Sequence, residues 1–252
     1  MSPPTVAEMV KTICSEYRVN SVPDSSRAWN GPQIISDLNR PCNLIVTSTD
    51  ASLEVINKSI QMGADILISH HGLTWTNGTI PLPYSDDIEA ARTKLAIDNN
   101  LTIIGLHLPM DAHPILGNNA VLCKLIEAEF EEHWFTTNGH PSPISNDFFE
   151  EIIHSSWPEI VELEDGRKSM KIGIVGQVQN VSRSDLKSRL EQSIGLEQTS
   201  HESIRCFPED RNLESNLVNR VAICTGAAGG AIVEARESGA DLLISGEGPA
   251  HS

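Results

Sequence analysis

Basic residues are scarce in this sequence of 252 residues. Its 39% of hydrophobic residues is enough to build a buried core. There are 18 Lys and Arg against 34 Asp and Glu, so the formal net charge is -16 at pH 7. The field of such a protein opposes binding to the phosphate backbone of DNA or RNA. We therefore expect no nucleic-acid partner.

Long apolar runs and secretion signals are also missing. No uninterrupted apolar stretch approaches the length of about 18 residues that a membrane span requires. The N-terminus has neither the basic start nor the continuous apolar run of a signal peptide. The five cysteines are scattered and form no Cys-x-x-Cys pair, which argues against a disulfide framework and a thiolate zinc site. These features predict a cytoplasmic protein that does not bind membranes.

Motifs of covalent catalysis are absent from the sequence. There is no G-x-S-x-G elbow and no cysteine in a recognisable catalytic context, so we expect no covalent nucleophile. A glycine-rich segment at 225–230 lacks the Gly-Lys-Ser/Thr ending of a P-loop. It is equally compatible with an anion-binding turn and with a close turn between a strand and a helix.

Short apolar runs alternate with helical patterns along the chain. This alternation is typical of an α/β fold with mostly parallel or mixed sheets flanked by helices. It predicts strands at 43–49, 65–69, 102–106, 171–175, 221–224 and 241–245, and helices at 53–62, 86–99, 118–127, 184–194 and 231–238. At the N-terminus, Thr5-x-x-Glu8 predicts a capping box at the start of a further helix.

An internal repeat indicates two related halves. The seven residues at 63–69 recur at 239–245 with one exchange, Ile66 for Leu242. Chance similarity between two junctions of helix, glycine and buried strand is the alternative explanation. We predict a first α/β half at 1–128, a connecting segment at 129–168 and a second α/β half at 169–252.

The densest chemical signal is the pair His70 and His71, which directly follows the predicted strand at 65–69. Successive residues of a strand point to opposite faces, so the two imidazoles can reach different points of the crevice at its carboxyl end. Imidazole is a common metal ligand, and two diverging histidines suit a two-metal site. A pair of surface histidines in a loop is the alternative.

A second cluster follows the predicted strand at 102–106. A carboxylate can bridge two cations held about 3.5–4 Å apart, and Asp111 is the candidate for this role. His107 and His113 flank it and are open to three roles: ligand, orienting residue behind a ligand, or general base. Each histidine taken singly is more often structural.

The last residues of the chain form a third candidate group. Glu247 and His251 follow the repeat's second strand, at the position that His70 and His71 occupy in the first half. They are candidates for ligands, for an orienting shell or for a proton carrier. A disordered terminus is an equal alternative.

In combination these motifs resemble the Nif-three-like dinuclear metal-centre proteins, also called the GTP cyclohydrolase I type 2 family. The resemblance covers nearly the whole chain. It is carried by the segments at 68–75, 105–119 and 220–230, by the N-terminal loop at 24–34, and by Gly246-Glu247.

The resemblance implies an α/β fold of two similar halves, a ring-shaped cytoplasmic hexamer, and two divalent ions bound by His70, His71 and Asp111. It further implies a nucleotide substrate such as GTP and a metal-activated water, with His107 as the catalytic proton carrier. The metal stays open among Zn, Fe, Mn, Ni and Mg. A non-catalytic metal-binding scaffold that acts through protein partners is the alternative function.

In that family a His-x-x-x-Glu motif beyond the Gly-Glu motif completes the metal site. This sequence reaches Ser252 without such a motif. We therefore expect either a truncated chain or a site that Glu247 and His251 complete.

Overall fold

A computed structural model describes residues 2–75, 88–144, 149–195, 204–207 and 217–247. The chain divides into two compact units, and both are discontinuous in sequence. The first unit consists of Met1–Met110 and Thr137–Met170, and the second of Asp111–Thr136 and Lys171–Ser252. Among the described residues, no helix combines the length and the apolar character that crossing a membrane would demand.

Helices and strands alternate along most of the chain. Their order is α1 (Val6–Glu16), β1 (Gly31–Ile34), β2 (Ile45–Ser48), α2 (Leu53–Gln61), β3 (Ile66–Ser69), α3 (Ile88–Asp98), β4 (Thr102–Gly105), α4 (Leu108–Ala112), α5 (Asn118–Leu125), β5 (Glu129–Gly139), β6 (Ile160–Glu162), β7 (Lys168–Ser182), α6 (Arg183–Ser193), β8 (Leu217–Cys224), a 3-10 turn (Gly229–Ala231), α7 (Ile232–Glu237) and β9 (Leu242–Ser245). Each helix and strand predicted from the sequence is present among the described residues. Most bounds agree closely, but β7 and β8 extend well beyond the predicted strands at 171–175 and 221–224.

The sheet of the first unit has the order β1-β4-β3-β2. Strands β2, β3 and β4 are parallel, and β1 joins the edge antiparallel to β4. Side chains alternate between the two faces of a strand. Ile66 and Ile68 pack with α1 on one face, whereas Leu67 packs with α2 and α3 on the other. Burial on both faces explains why β3 reads as a continuous apolar run.

The N-terminal helix begins at the capping box that the sequence predicts. The backbone N–H of Glu8 donates to Thr5 Oγ1 at 3.2 Å, and the backbone N–H of Thr5 donates to Glu8 Oε2 at 2.7 Å. Two backbone N–H groups at the helix start thereby gain acceptors. The apolar residues Val6, Val10 and Ile13 of this helix then face the core.

The second sheet has the order β5-β7-β8-β9. Strands β7 and β8 are antiparallel, β8 and β9 are parallel, and β6 pairs with the first residues of β7. Sequence patterns missed three strands, namely β1, β5 and β6. Strand β5 mixes exposed polar residues with the aromatic residues Phe130, Trp134 and Phe135, so it has no continuous apolar run to reveal it. The predicted α/β class with two mixed sheets and flanking helices is confirmed.

The repeat has the same local structure in both copies. Gly63 after α2 has a φ of +77°, and Gly239 after α7 has a φ of +78°, a backbone conformation that favours glycine. The next acidic residue of each copy accepts two backbone N–H bonds from the neighbouring strand: Asp65 from residues 43 and 44, and Asp241 from residues 219 and 220. The repeated segments therefore encode the same helix–turn–strand junction in both places.

Candidate metal centre

His70 and His71 stand at the carboxyl end of β3, where the sequence predicts them. The backbone N–H of His70 donates to Ser48 O at 3.0 Å, and that of His71 donates to Thr49 O at 2.9 Å. These bonds continue the pairing of β3 with β2 past the last strand residue. The backbone of both histidines is thereby fixed, while the ring of His70 is half-buried and that of His71 is exposed.

His107 follows the neighbouring strand β4 and joins this pair. One candidate ligand atom from each of His70, His71 and His107 lies within 4.8 Å of the other two. The ring centroid of His70 is 5.0 Å from that of His71 and 5.0 Å from that of His107. Parallel strands bring their carboxyl ends to one edge of a sheet, which explains the convergence. We call these three residues the histidine cluster, and it can hold a metal ion.

The ring of His70 is oriented by the main chain. Its Nδ1 lies 3.0 Å from the carbonyl oxygen of Leu106, which can only accept a hydrogen bond. Nδ1 therefore carries the proton, and the lone pair of a neutral ring is on Nε2. A metal-binding histidine commonly makes this kind of bond with its other nitrogen.

His107 is held by the N-terminal loop. Asn30 Oδ1 accepts the backbone N–H of His107 at 2.7 Å. The Nδ1 atom of His107 lies 3.0 Å from each carboxylate oxygen of Asp24. Asp24 is only 1% exposed. Sequence reasoning did not single out Asp24, because nothing in local spacing relates it to a histidine 83 residues away.

The loop after His71 is fixed by Gln33. The Oε1 atom of Gln33 accepts the backbone N–H of Leu73 at 2.5 Å, and its Nε2 donates to Trp29 O at 2.6 Å. Gly72 has a φ of +64°, and a Cβ atom there would lie 2.5 Å from Gln33 Nε2. Glycine at this position therefore permits both the turn and the close approach of the glutamine.

An aromatic side chain borders the cluster. Trp75 Nε1 donates a hydrogen bond to the carbonyl oxygen of His71. The Trp75 ring is edge-on to His107, with 4.9 Å between the ring centroids. The histidine cluster thus has an apolar neighbour on one side.

Asp111 begins the second unit and is buried there. Its Oδ1 accepts hydrogen bonds from Asn118 Nδ2 at 2.7 Å and from Thr225 Oγ1 at 2.8 Å. Asn119 Oδ1 accepts the backbone N–H of Thr225 at 2.8 Å. The carboxylate is therefore held in one orientation by the start of α5 and by the glycine-rich loop. Its role as a metal ligand stays a prediction.

The thiol of Cys224, near Asp111, has a raised pKa. Burial, and secondarily the charge of Asp111, raises the pKa of the Cys224 thiol to about 12. Burial likewise raises the pKa of Cys14 to about 12. A thiol is inert as a nucleophile or ligand while protonated.

The remaining candidates lie in different surroundings. His113 is 1% exposed, and its Nδ1 accepts the backbone N–H groups of Ile115 at 3.1 Å and Leu116 at 3.0 Å. This nitrogen is therefore engaged in shaping the turn after α4. Glu247 follows β9, where its side chain is exposed and its backbone N–H donates to Gly226 O at 2.9 Å. His251 lies outside the described residues. The site roles of all three stay predictions.

Comparison with known proteins finds one family along the chain. Residues 4–252 match the family described as Duf34/NIF3 (NGG1p interacting factor 3). A protein of Haemophilus influenzae named GTP cyclohydrolase 1 type 2 homolog is 28% identical over 204 residues. The match covers 81% of this chain but only 64% of the length of that relative. A Pyrococcus horikoshii protein of the same name is 29% identical over 240 residues, which cover 95% of this chain and 77% of the relative.

A solved structure shows the same fold. The protein ybgI, described as of unknown function, superposes with a TM-score of 0.67 at 25% sequence identity. The alignment covers 98% of this chain and 80% of that one.

Proposed function

Because the chain belongs to the Duf34/NIF3 family, we propose that it binds two divalent metal ions and acts as a metal-dependent hydrolase on a nucleotide. The observation that carries this proposal is the histidine cluster, whose three candidate ligand atoms lie within 4.8 Å of one another. Nitrogens this close together can hold a metal ion, and a bridging carboxylate would allow a second ion about 3.5–4 Å from the first.

The donor set fits borderline divalent ions. Neutral imidazole suits Zn, Fe and Ni, and a carboxylate such as Asp111 adds affinity for Mn and Mg. His70 offers Nε2 because its Nδ1 is bonded to a carbonyl oxygen. We propose His70, His71 and Asp111 as ligands.

The proposed chemistry is hydrolytic. The curated relatives are named GTP cyclohydrolase 1 type 2 homolog, which supports a nucleotide such as GTP as the substrate class. Bound divalent ions would supply a water of lowered pKa and offset the negative charge of the phosphates. We propose that His107, at the edge of the cluster, accepts or returns a proton.

A non-catalytic metal-binding scaffold is the second candidate. Strand β5 is at the end of its sheet, and its residue Phe130 is 53% exposed. An exposed aromatic side chain on an edge strand is suited to contact with another protein. The ring-shaped hexamer is part of the proposal in both cases, and light scattering on the purified protein would measure its mass.

Metal content and turnover test the proposal together. The metal-free protein is titrated calorimetrically with Zn, Mn, Fe, Ni or Mg, and then assayed with GTP and a panel of phosphoesters. We expect metal-dependent turnover that His70→Ala and Asp111→Ala abolish. His133→Ala, which removes an imidazole from β5 rather than from the cluster, is the matched control and should retain it.

The outcomes separate the two candidates. Tight binding of metal without turnover of any substrate favours the scaffold. Equal metal affinity in the wild type and in His70→Ala would contradict both candidate functions, because both require metal binding at the histidine cluster.

A further inference from the structure

We infer that Asp24 is a positioning residue that holds His107 as the Nδ1–H tautomer and leaves the Nε2 lone pair for a metal ion or a proton. The inference concerns a residue that neither spacing nor family description singles out. Only the identity of the group that Nε2 binds depends on the proposed function; the tautomer itself does not.

Hydrogen-bond donors surround the carboxylate of Asp24. The backbone N–H of Ser25 donates to Oδ1 at 2.7 Å, and the backbone N–H of Leu108 donates to Oδ2 at 3.0 Å. Backbone nitrogens have no alternative to donating. Both oxygens of Asp24 are therefore committed as acceptors in a site that is almost closed to solvent.

The amide of Asn30 adds a third donor, and its orientation is fixed independently. The backbone N–H of His107 must donate, so the Asn30 atom 2.7 Å from it is the oxygen. The other end of that amide is then Nδ2, which donates to Asp24 Oδ2 at 2.9 Å. Ser142 Oγ also donates to the backbone oxygen of Asn30 at 2.6 Å and helps to fix the loop.

The imidazole of His107 is the fourth group at this carboxylate. An ionised carboxylate offers about four lone-pair sites and no proton, and three are used by Ser25, Asn30 and Leu108. The remaining neighbour, His107 Nδ1, lies 3.0 Å from both oxygens and must donate as well. In the neutral ring the lone pair is therefore on Nε2, the nitrogen on the far side from Asp24.

Convergence of four donors also explains why an amide cannot replace this side chain. In an Asp24→Asn protein, one of the two oxygens becomes an NH2 group that faces at least one other donor. The amide oxygen can stay at the Oδ2 position, where Asn30 Nδ2 and the backbone N–H of Leu108 donate. The NH2 group then finds an acceptor in His107 only if the ring takes the opposite tautomer, with the proton on Nε2. Changing such an orienting partner typically lowers metal affinity by about 10–100-fold.

The tautomer can be measured directly on the full, metal-free chain. Two-bond proton–nitrogen NMR correlations are recorded at about pH 9, well above the ordinary imidazole pKa of about 6.5. The His107 signals are assigned by comparison with His107→Gln. We expect Nδ1 to be protonated and Nε2 to have the shift of an unprotonated nitrogen. A protonated Nε2 in the wild type would overturn the inference.

Variants extend the test to metal binding. Asp24→Asn should shift the tautomer of His107 towards Nε2–H and weaken metal binding by about 10–100-fold. Asp37→Asn, which alters an exposed carboxylate in the same segment, should change neither quantity. A merely structural role of Asp24 would lower stability without moving the tautomer, so a folded Asp24→Asn protein with an unchanged tautomer contradicts the inference.

Failure of the inference and failure of the proposed function are distinguishable. If the wild type has the Nδ1–H tautomer but binds none of the metals, the inference stands and the proposed function falls. If metals bind while the metal-free protein has the Nε2–H tautomer, the inference falls and the proposed metal binding stands. The tautomer is measured on the wild type, and only the assignment of its signals uses a variant, His107→Gln. An Asp24→Asn protein that does not fold therefore leaves the test intact.

Discussion

Substitution of Asp65 by alanine should destabilise the protein by about 3 kcal/mol, and the repeat supplies a matched control. Asp65 accepts backbone N–H bonds from Asn43 at 2.6 Å and Leu44 at 3.1 Å, and it pairs with Arg40. Each backbone bond to this buried carboxylate is worth about 1 kcal/mol, and the partly buried ion pair adds about 1 kcal/mol. Asp241 accepts two equivalent backbone bonds at an exposed position, where water can replace the carboxylate.

We therefore expect Asp241→Ala to cost only about 1 kcal/mol. Urea unfolding at pH 7, followed by circular dichroism and tryptophan fluorescence, measures both variants. Equal losses of stability in Asp65→Ala and Asp241→Ala would refute the reasoning, because burial and the arginine would then contribute nothing.

The pH dependence of the Asp65 effect has a definite sign. Burial alone would raise the pKa of Asp65, but the backbone hydrogen bonds and the Arg40 guanidinium outweigh it and hold this pKa below its usual range. A depressed pKa stabilises the folded state above the unfolded value of about 3.9, and this contribution is lost as the pH falls through the folded pKa. The difference between wild type and Asp65→Ala should be complete at pH 7 and shrink below about pH 4. A difference that grows in acid would contradict this assignment.

Three further outcomes are expected. Gly72→Ala forces Gln33 away from its hydrogen bonds and adds strain at a positive φ, so it should cost about 1–3 kcal/mol in urea unfolding and weaken metal binding measured by calorimetry. Thr225→Val keeps the side-chain shape but removes a hydrogen bond to Asp111, and metal affinity should fall by about tenfold if that carboxylate is a ligand; unchanged affinity would argue against the ligand role. Burial raises the pKa of Cys14 to about 12, so iodoacetamide at about pH 8 should modify it only after unfolding, as mass spectrometry can show.

Strand ends were the most informative part of the sequence. The apolar run before His70 predicts a strand buried on both faces, and β3 is such a strand. The same reasoning places His107 after β4, and the two strands are parallel neighbours. Strands β1 and β5 escaped prediction because their pairing is decided by partners distant in the chain rather than by local pattern.

The connection between Asp24 and His107 illustrates what sequence cannot supply. A single aspartate in a polar loop shows no periodicity. Its role can be recognised only from the hydrogen-bond donors that folding places around its carboxylate. Those donors come from the N-terminal loop and from the segment after β4.

The sequence by itself determined the α/β class, the repeated helix–glycine–strand junction and the position of the candidate ligands at strand ends. These features follow from side-chain alternation, helix periodicity and glycine conformation, which act over a few residues. Only the tertiary structure decided that His107 joins His70 and His71, and that a buried carboxylate orients its ring. The reason is that hydrogen bonds between distant segments depend on how the strands are ordered in the sheet, and local sequence does not encode that order.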